Sequence, residues 1–222
     1  MPLNSKFTKF TTASPQLVSV DFVDKATGVG LITFYAGHTD TDGYILSSNA
    51  FYSSEASTAS GQNVAMDLDF DVLIEKTLII DGTCIVEIPY ILAHDAGSWS
   101  SDPNVVVTLR HWDGTTETDL GTATGNKPLV SIGANISKDV LNTVKFDVTR
   151  KTFKKGDTLR LTIATAAAGA GTEFILAHDP LGRTNEEATQ VVGIDFRGSL
   201  SSAIGTWTLT TILKAQIPIV II

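Results

Sequence analysis

Two His-Asp pairs are the residues in this chain most suited to catalysis or metal binding. Ile91-Leu92-Ala93-His94-Asp95 is echoed by Ile175-Leu176-Ala177-His178-Asp179, and each copy closes an apolar run. Catalysis needs a histidine oriented by a carboxylate beside a nucleophile, but neighbours on a strand point to opposite faces. Tetrahedral zinc would need His94 and His178 to meet with two further ligands. The pattern favours a repeated structural turn over a metal or catalytic site, so we expect no catalytic residue and no enzyme.

A row of carboxylates offers a second candidate site. Asp67, Asp69 and Asp71 alternate with apolar residues, which puts them on one face of a strand. Side chains two apart on a strand lie about 7 Å from each other, too far for all three to bind one ion. The row therefore favours an acidic face that is solvated or forms an interface, with calcium shared with a neighbouring loop as the alternative.

A loop that resembles the start of a calcium-binding EF-hand runs from His38 to Gly43. His38 stands at the first ligand position, and the twelfth holds Asn49 where a bidentate Glu is required. A turn is favoured over a calcium site. We expect no cofactor, and Asp40 and Asp42 are the best candidates should calcium bind.

Two aromatic residues in loops could bind a ligand. Trp99 lies in Gly97-Ser98-Trp99-Ser100-Ser101, and Tyr52 lies in a Ser-rich run. Exposed aromatic rings are stacking platforms for sugars, whereas Trp112, at a hairpin end, indicates packing. The single cysteine, Cys84, lies within an apparent strand and indicates a buried structural thiol, not a nucleophile.

Alternation of apolar and polar residues defines the elements that position these groups. Val144, Phe146 and Val148 alternate with polar residues, and after a Lys-Gly-Asp turn at 155–157 the pattern resumes and leads to a third strand that ends near Pro180. Period two with one polar face is typical of half-buried strands. Asp-Gly at 81–82 and 113–114 predicts two hairpins. Short helical turns are predicted only at 137–141 and 185–188.

Short strands separated by turn signals predict an all-β fold, an antiparallel β-sandwich of the jelly-roll type. We expect one such domain over residues 16–222, preceded by a polar N-terminal arm over residues 1–15. Two anchors, Phe7 and Phe10, lie within the arm.

Composition narrows the classes of partner. The 222-residue chain has a formal net charge of −8, which is unsuited to a phosphate-binding surface, so nucleic acid is not an expected partner. No segment approaches the roughly 20 apolar residues of a membrane span, and the first residues lack a signal-peptide core. We expect synthesis in the cytoplasm and no membrane partner.

The end of the sequence is unusually apolar. Ile217, Ile219, Val220, Ile221 and Ile222 follow one another with only Pro218 between them. Exposed apolar edges aggregate, so this segment predicts either a buried internal strand or a contact with another subunit, and the two are compatible.

The second half of the chain resembles a known group of proteins. The phrase from Phe146 to Leu161, the later Ile175-Leu176-Ala177-His178-Asp179-Pro180, and the hairpin from Val105 to Ala123 are similar to jelly-roll structural proteins of tailed viruses of bacteria and archaea. The resemblance implies a virion component, either a capsid decoration protein or a minor capsid protein. It also implies a homotrimer that contacts the major capsid protein.

Two functions follow as hypotheses. The first is a capsid-associated structural protein located in the virion, with Phe7, Phe10 and the apolar terminal residues as contacts. The alternative is a carbohydrate-binding or receptor-binding β-sandwich of a viral tail, with Trp99, Tyr52 and the Asp40 to Asp42 loop at its site.

Overall fold

The computed structural model describes residues 18–19, 28–39, 43–48, 58–62, 66–94, 105–125, 136–165, 172–177, 188–189, 208–209 and 213–220. Within these ranges every regular element is a β-strand, and none is a helix. The predicted all-β class is confirmed. The N-terminal arm and its boundary at residue 15 lie outside the described residues, and the single-domain organisation stays a prediction.

The strands differ widely in length, from two residues to eighteen. They are β1 (Val18–Ser19), β2 (Val29–Thr39), β3 (Gly43–Ser47), β4 (Thr58–Gln62), β5 (Met66–Leu73), β6 (Leu78–His94), β7 (Val105–Trp112), β8 (Glu117–Thr124), β9 (Ile136–Phe153), β10 (Thr158–Thr165), β11 (Thr172–Ala177), β12 (Ala188–Thr189), β13 (Thr208–Leu209) and β14 (Lys214–Val220).

Twelve of these strands form one sheet, with the main order β4-β11-β6-β14-β2-β3-β5-β10-β7-β8; β1 pairs with β2, and β9 pairs with β6. All pairs are antiparallel except β3 with β5, which are parallel. The path from β9 through β6 to β8 curls until β8 lies against β9. Gly121 of β8 comes so close to the backbone oxygen of Asp147 in β9 that a Cβ there would lie 2.6 Å from it. The sheet therefore nearly closes into a barrel. This architecture is consistent with the predicted β-sandwich class.

Alternate side chains of the curled sheet point inward and form one core. Phe34, Phe70, Tyr90, Phe153 and Leu109 are among its largest fully buried members. Burying each such side chain contributes roughly 1.5–3 kcal/mol. The alternation predicted for β9 is confirmed, because every second residue from 142 to 148 is buried and those between are exposed.

The stretch after Thr143 links the two sides of the curled sheet. β9 pairs with β6, whereas β10 pairs with β5 and β7, so the predicted Lys-Gly-Asp turn connects strands that are not partners. Gly156 in this turn has a φ of 97°. That value lies in the left-handed region that favours glycine.

The two predicted Asp-Gly hairpins have opposite outcomes. At 113–114 the prediction is confirmed: β7 and β8 are paired, and Asp113 Oδ1 accepts hydrogen bonds from the backbone N–H groups of Thr115 (2.9 Å) and Thr116 (2.7 Å). These bonds, that from Thr116 first, lower the pKa of the Asp113 carboxyl group.

At 81–82 the prediction is wrong, because β6 runs unbroken through both residues. Its pairing with β9 shifts between Ile80 and Gly82, so the Asp-Gly pair marks an irregularity in a long strand. Gly82 has a φ of 125°, which supplies the local bend without reversing the chain.

The helical turn predicted at 137–141 is also wrong. These residues belong to β9, paired with the last part of β6. Local preference of Ser137 for capping a helix is overridden by pairing with a long neighbouring strand. The other candidate, at 185–188, lies outside the described residues except for Ala188 in β12.

The apolar terminal segment is an internal strand over its described length. β14 lies between β2 and β6, and Ile217 and Ile219 are 0% and 6% exposed. Both side chains belong to the chain's own core, so they are not free to contact another subunit. Val220 is half-buried, and Ile221 and Ile222 lie outside the described residues.

Candidate functional site

Four adjacent strands present a face rich in charge. The outward side chains of β5, β10, β7 and β8 include seven charged groups. Asp67 is one of them, and the other six are linked to one another and are called the charged face: Asp69, Asp71, Arg110, Glu117, Asp119 and Arg160. The register brings them together, because Arg160 lies opposite Asp71 on one side and opposite Arg110 on the other. Cross-strand neighbours of this kind lie about 5 Å apart.

Arg160 is the centre of the charged face. Its Nε and Nη2 donate to the two carboxylate oxygens of Asp71, each at 2.8 Å, and its Nη1 donates to Glu117 Oε1 at 2.8 Å. The bonds to Asp71, together with the nearby Asp69 and Glu117, raise the pKa of the Arg160 guanidinium above its ordinary value. The guanidinium carbon also lies 6.0 Å from the ring centroid of Trp112, at the limit of a cation–π contact.

Arg110 extends the network to the edge of the sheet. Its Nε donates to Asp119 Oδ1 at 2.8 Å, and its Nη1 donates to Thr162 Oγ1 at 3.0 Å. Thr162 in turn donates to Asp69 Oδ1 at 2.6 Å. The four carboxylates of the face are thus cross-linked by two arginines, which leaves two negative charges.

This arrangement refines the prediction for the acidic row. Asp67, Asp69 and Asp71 do share an outward face of β5; Asp67 is exposed, whereas Asp69 and Asp71 are bound by arginines from strands distant in sequence. Sequence reasoning missed Arg110 and Arg160, although both stand at outward positions of their strands. Within the described ranges, no group of three or more His, Cys, Asp or Glu side chains is placed to hold a metal ion.

A buried histidine and a carboxylate form a clasp at one end of the charged face. His111 is 4% exposed, and its Nε2 lies 2.8 Å from Asp157 Oδ2, which also accepts a hydrogen bond from the Lys154 N–H at 2.8 Å. The Phe153 ring packs edge-on against the imidazole at 4.7 Å. The hydrogen bond from the Lys154 N–H lowers the pKa of the Asp157 carboxyl group most, and the hydrogen bond with His111 lowers it further.

The clasp has part of the geometry used in nucleophilic catalysis. A catalytic histidine uses one ring nitrogen for the carboxylate and the other for a nucleophile. His111 Nδ1 is buried and makes no hydrogen bond with a described residue. His111 belongs to β7 and Asp157 to the turn between β9 and β10, so their contact joins these two elements.

The two residues of the clasp, His111 and Asp157, are 46 positions apart in the sequence, unlike the adjacent His-Asp pairs considered in the sequence analysis. Of those pairs, His94 ends β6, opposite Thr172 at the start of β11. His94 thus pairs with the first residue of β11. His178 follows Ala177, the last residue of the same strand, so the register does not pair the two histidines. His178 and both aspartates of the echo lie outside the described residues.

A cleft opens beside the clasp between two turns. It has a volume of about 480 Å³ and is lined by Leu73, Ile74, Glu75, Lys76, Lys155 and Gly156, which we call the basic cleft. Leu73 is 61% exposed, and both lysines are exposed. Lys155 and Gly156, in the turn between β9 and β10, form one wall.

The other side of the curled sheet presents a nearly uncharged surface. We call it the neutral face, formed by the outward side chains of β2, β14 and β6: Leu31, Thr33, Tyr35, Ile85 and Gln216. Thr33, Gln216 and Ile85 lie side by side in one row across three strands. Charged side chains lie at its border: Lys214 pairs with Glu87 at 3.0 Å, Arg150 pairs with Asp81 at 2.8 Å, and Lys145 of β9 lies opposite Ile85.

The remaining predicted site residues fall in parts of the chain that the structure does not describe. These are the arm anchors, the calcium candidates and the loop aromatic residues: Phe7, Phe10, Asp40, Asp42, Tyr52 and Trp99. Their roles stay predictions. Cys84 is buried, as predicted, and burial raises the pKa of its thiol to about 12.

Comparisons with known proteins connect the fold to solved structures. No protein-family model and no curated protein matches the chain. A CocE/NonD family hydrolase from Staphylococcus aureus is 11% identical with a TM-score of 0.52, over 86% of this chain and 37% of that chain. An aminopeptidase from a marine sediment Thaumarchaeota archaeon is 10% identical with a TM-score of 0.50, over 84% and 36%.

A third alignment reaches a virus structure. The structure of infectious bursal disease virus, Gt strain, aligns at 12% identity over 87% of this chain and 40% of that chain, and its TM-score of 0.30 is too low to indicate a shared fold. The first two likenesses show a fold and nothing further, and this chain spans little more than a third of either enzyme chain.

These likenesses correct one prediction. The sequence-based expectation that the chain is not an enzyme is wrong, because the fold that the chain adopts occurs within hydrolase and aminopeptidase chains. Alternating strands without a familiar catalytic motif do not separate the two classes of protein. In the described part of the chain, no helix is long and apolar enough to cross a membrane.

Proposed function

We propose that this chain is an assembly component, a capsid-associated virion protein whose copies meet through the neutral face. The observation that carries the proposal is the distribution of charge over the curled sheet. A chain with a net charge of −8 repels its own copies, so a surface on which copies meet needs to be nearly uncharged.

The neutral face meets that requirement. Tyr35, Ile85 and Leu31 give it apolar area, while Thr33 and Gln216 offer hydrogen-bonding groups at its centre. Interface cores are depleted in charge and enriched in aromatic residues. The charged face is less suited to a contact between like copies, because it keeps two negative charges and its arginines are already bound.

In this proposal the chain forms a homotrimer, and the trimer attaches to the capsid lattice made by the major capsid protein. Closed symmetric assemblies are the usual state of self-associating proteins. The viral resemblance of β7 to β10 supports this assignment. Phe7, Phe10, Ile221 and Ile222 are further predicted contacts.

The test is the mass of the purified chain by size-exclusion chromatography with light scattering, over a range of concentrations. We expect a trimer, and we expect Leu31→Glu with Ile85→Glu to shift it to monomer by adding like charges to the contact. Thr118→Glu, exposed at the edge of β8, is the matched control and should leave the mass unchanged. A monomer at every concentration, or equal effects of both changes, contradicts the proposal.

A second candidate is favoured by the solved structures. The likeness to two enzyme chains extends over most of this chain but about a third of theirs, which supports a sandwich module that belongs to a hydrolase-type assembly. This candidate predicts a concentration-independent monomer. Hydrolysis of a p-nitrophenyl ester or an aminoacyl anilide by the purified chain, above the blank, would favour it over capsid assembly.

A further inference from the structure

The basic cleft combines exposed apolar area with cations that lack partners. Leu73 projects from the end of β5 with 61% of its surface exposed, above the buried Ile74. Lys76 and Lys155 stand on opposite turns beside it. Among the described lining residues Glu75 is the one carboxylate, so these residues carry one net positive charge in a chain whose formal net charge is −8.

The arginines of the described surface, and Lys214, are bound by carboxylates. Arg110 and Arg160 are held by carboxylates of the charged face, Arg150 by Asp81 at 2.8 Å, and Lys214 by Glu87. Lys76 and Lys155, like Lys145, Lys151 and Lys154, form no ion pair with any described residue, but only Lys76 and Lys155 line the cleft beside an exposed apolar side chain. Their ammonium groups are available to an anion from outside.

The cleft is held open by a rigid frame. Ile74 N donates to Asp157 O at 2.8 Å, and Gly156 N donates to Ile74 O at 2.8 Å, so the two turns are tied by a pair of backbone hydrogen bonds. Asp157 is itself held by His111 and Lys154. Gly156 has no side chain, and the space within 4 Å of where its Cβ would lie is empty, so the cleft is open at this residue. Such a preformed frame reduces the entropy lost on binding.

We propose that the basic cleft binds an acidic peptide segment of another protein, one that carries an apolar side chain between its carboxylates. The apolar side chain covers Leu73, and the flanking carboxylates pair with Lys76 and Lys155. Charge complementarity decides the occupant: a cationic peptide would meet both lysines, and a neutral one would leave them without partners. This site is distinct from the neutral face and does not depend on the chain's assembly state.

The experiment measures fluorescence anisotropy of a short labelled peptide in which Glu and Leu alternate. We expect the wild-type chain to bind it with a Kd below about 1 mM, more weakly as salt is raised. Two control peptides have Gln in place of every Glu, or Ser in place of every Leu. We expect each to bind about tenfold more weakly than the parent peptide.

Variants locate the site. Lys76→Glu with Lys155→Glu should weaken binding about tenfold or more, and Leu73→Ser should weaken it about tenfold. Lys145→Glu, on the exposed side of β9, is the matched charge control and should bind like the wild type. Circular dichroism checks that every variant is folded.

Three results would overturn the proposal. One is the absence of binding to the Glu-Leu peptide up to about 1 mM. Another is an equal loss in Lys145→Glu and in the cleft variants, which would indicate a general charge effect. The third is binding of a short fatty acid at the cleft without binding of the peptide, which would identify a lipid site instead.

Discussion

The charged face and the neutral face are two sides of one curled sheet, but they use their polar residues in opposite ways. On the charged face, Asp71 and Arg160 are 89 residues apart in sequence and meet as a bidentate pair. Beside the neutral face, the ion pairs lie at the border, Lys214 with Glu87 and Arg150 with Asp81. One face is cross-linked by its own side chains, whereas the other keeps its outward groups available.

Alternation of apolar and polar residues does not by itself decide how charged a face of the sheet is. Both faces arise from the same period-two pattern, which fixes only which residues point outward. The register between distant strands then decides whether outward charges neutralise one another. Cross-linking of this kind stabilises the four strands of the charged face relative to one another and lowers its capacity to bind a partner.

The largest expected effect comes from the seam where the two faces join. In Gly121→Ala, the new Cβ would lie 2.6 Å from Asp147 O and 2.8 Å from a ring carbon of Phe146. Overpacking against backbone and a core ring should cost about 2–3 kcal/mol of unfolding free energy, measured by urea denaturation. Thr124→Ala, exposed on the same strand, should change it by less than about 0.5 kcal/mol. Equal stability of the two variants would show that β8 does not close against β9.

The second effect compares one ion pair from each face. Arg160→Met removes the cation that pairs with Asp71, Asp69 and Glu117; it leaves Asp71 uncompensated, and Asp69 and Glu117 keep only the longer contacts to Arg110. We expect a loss of about 1–2 kcal/mol, since the network is only partly buried. Lys214→Met breaks a single pair and should cost about 0–1 kcal/mol.

Salt sharpens the same comparison. High ionic strength screens repulsion among the carboxylates that Arg160→Met leaves behind, so its cost should shrink in concentrated sodium chloride. Urea denaturation at low and high salt measures the change. Equal costs for Arg160→Met and Lys214→Met at low salt would mean that the charged face is not cross-linked in solution.

The sequence predicts the strands of both faces better than their partners. The inward residues of β9, such as Val144 and Phe146, are evident from alternation, and the Asp113-Gly114 hairpin follows from local turn chemistry. Asp81-Gly82 has the same dipeptide, but it lies inside a strand whose flanks both pair with β9. Local preference cannot separate a turn from a bulge, since the choice depends on pairing with distant residues.

The candidate site is less predictable for the same reason. The sequence places Asp69 and Asp71 on one face, but it does not show that Arg110 and Arg160 lie beside them. His111 and Asp157 meet only because the turn after β9 returns to the end of β7. Adjacent His-Asp pairs attract notice in a sequence, whereas pairs made by topology have no local signal.

The smallest expected effect concerns the clasp of His111 and Asp157. Asp157 lies in the turn between β9 and β10, and β10 belongs to the charged face. Hydrogen bonds from Lys154 N and His111 lower the pKa of folded Asp157. A group with a depressed folded pKa contributes stability above its unfolded pKa, about 3.9, and that contribution is lost as the pH falls through the folded value. Wild-type unfolding free energy should therefore decrease below about pH 4.

Asp157→Asn removes the titrating group. Its unfolding free energy should lie below that of the wild type at pH 5, and the gap should narrow towards pH 2, where the wild-type carboxyl group is also neutral. Urea denaturation across this range measures the gap. Thr152→Ala, exposed near the same turn and without a titratable group, should show a constant offset. A gap that stays constant for Asp157→Asn would mean that the clasp does not hold a carboxylate in the folded protein.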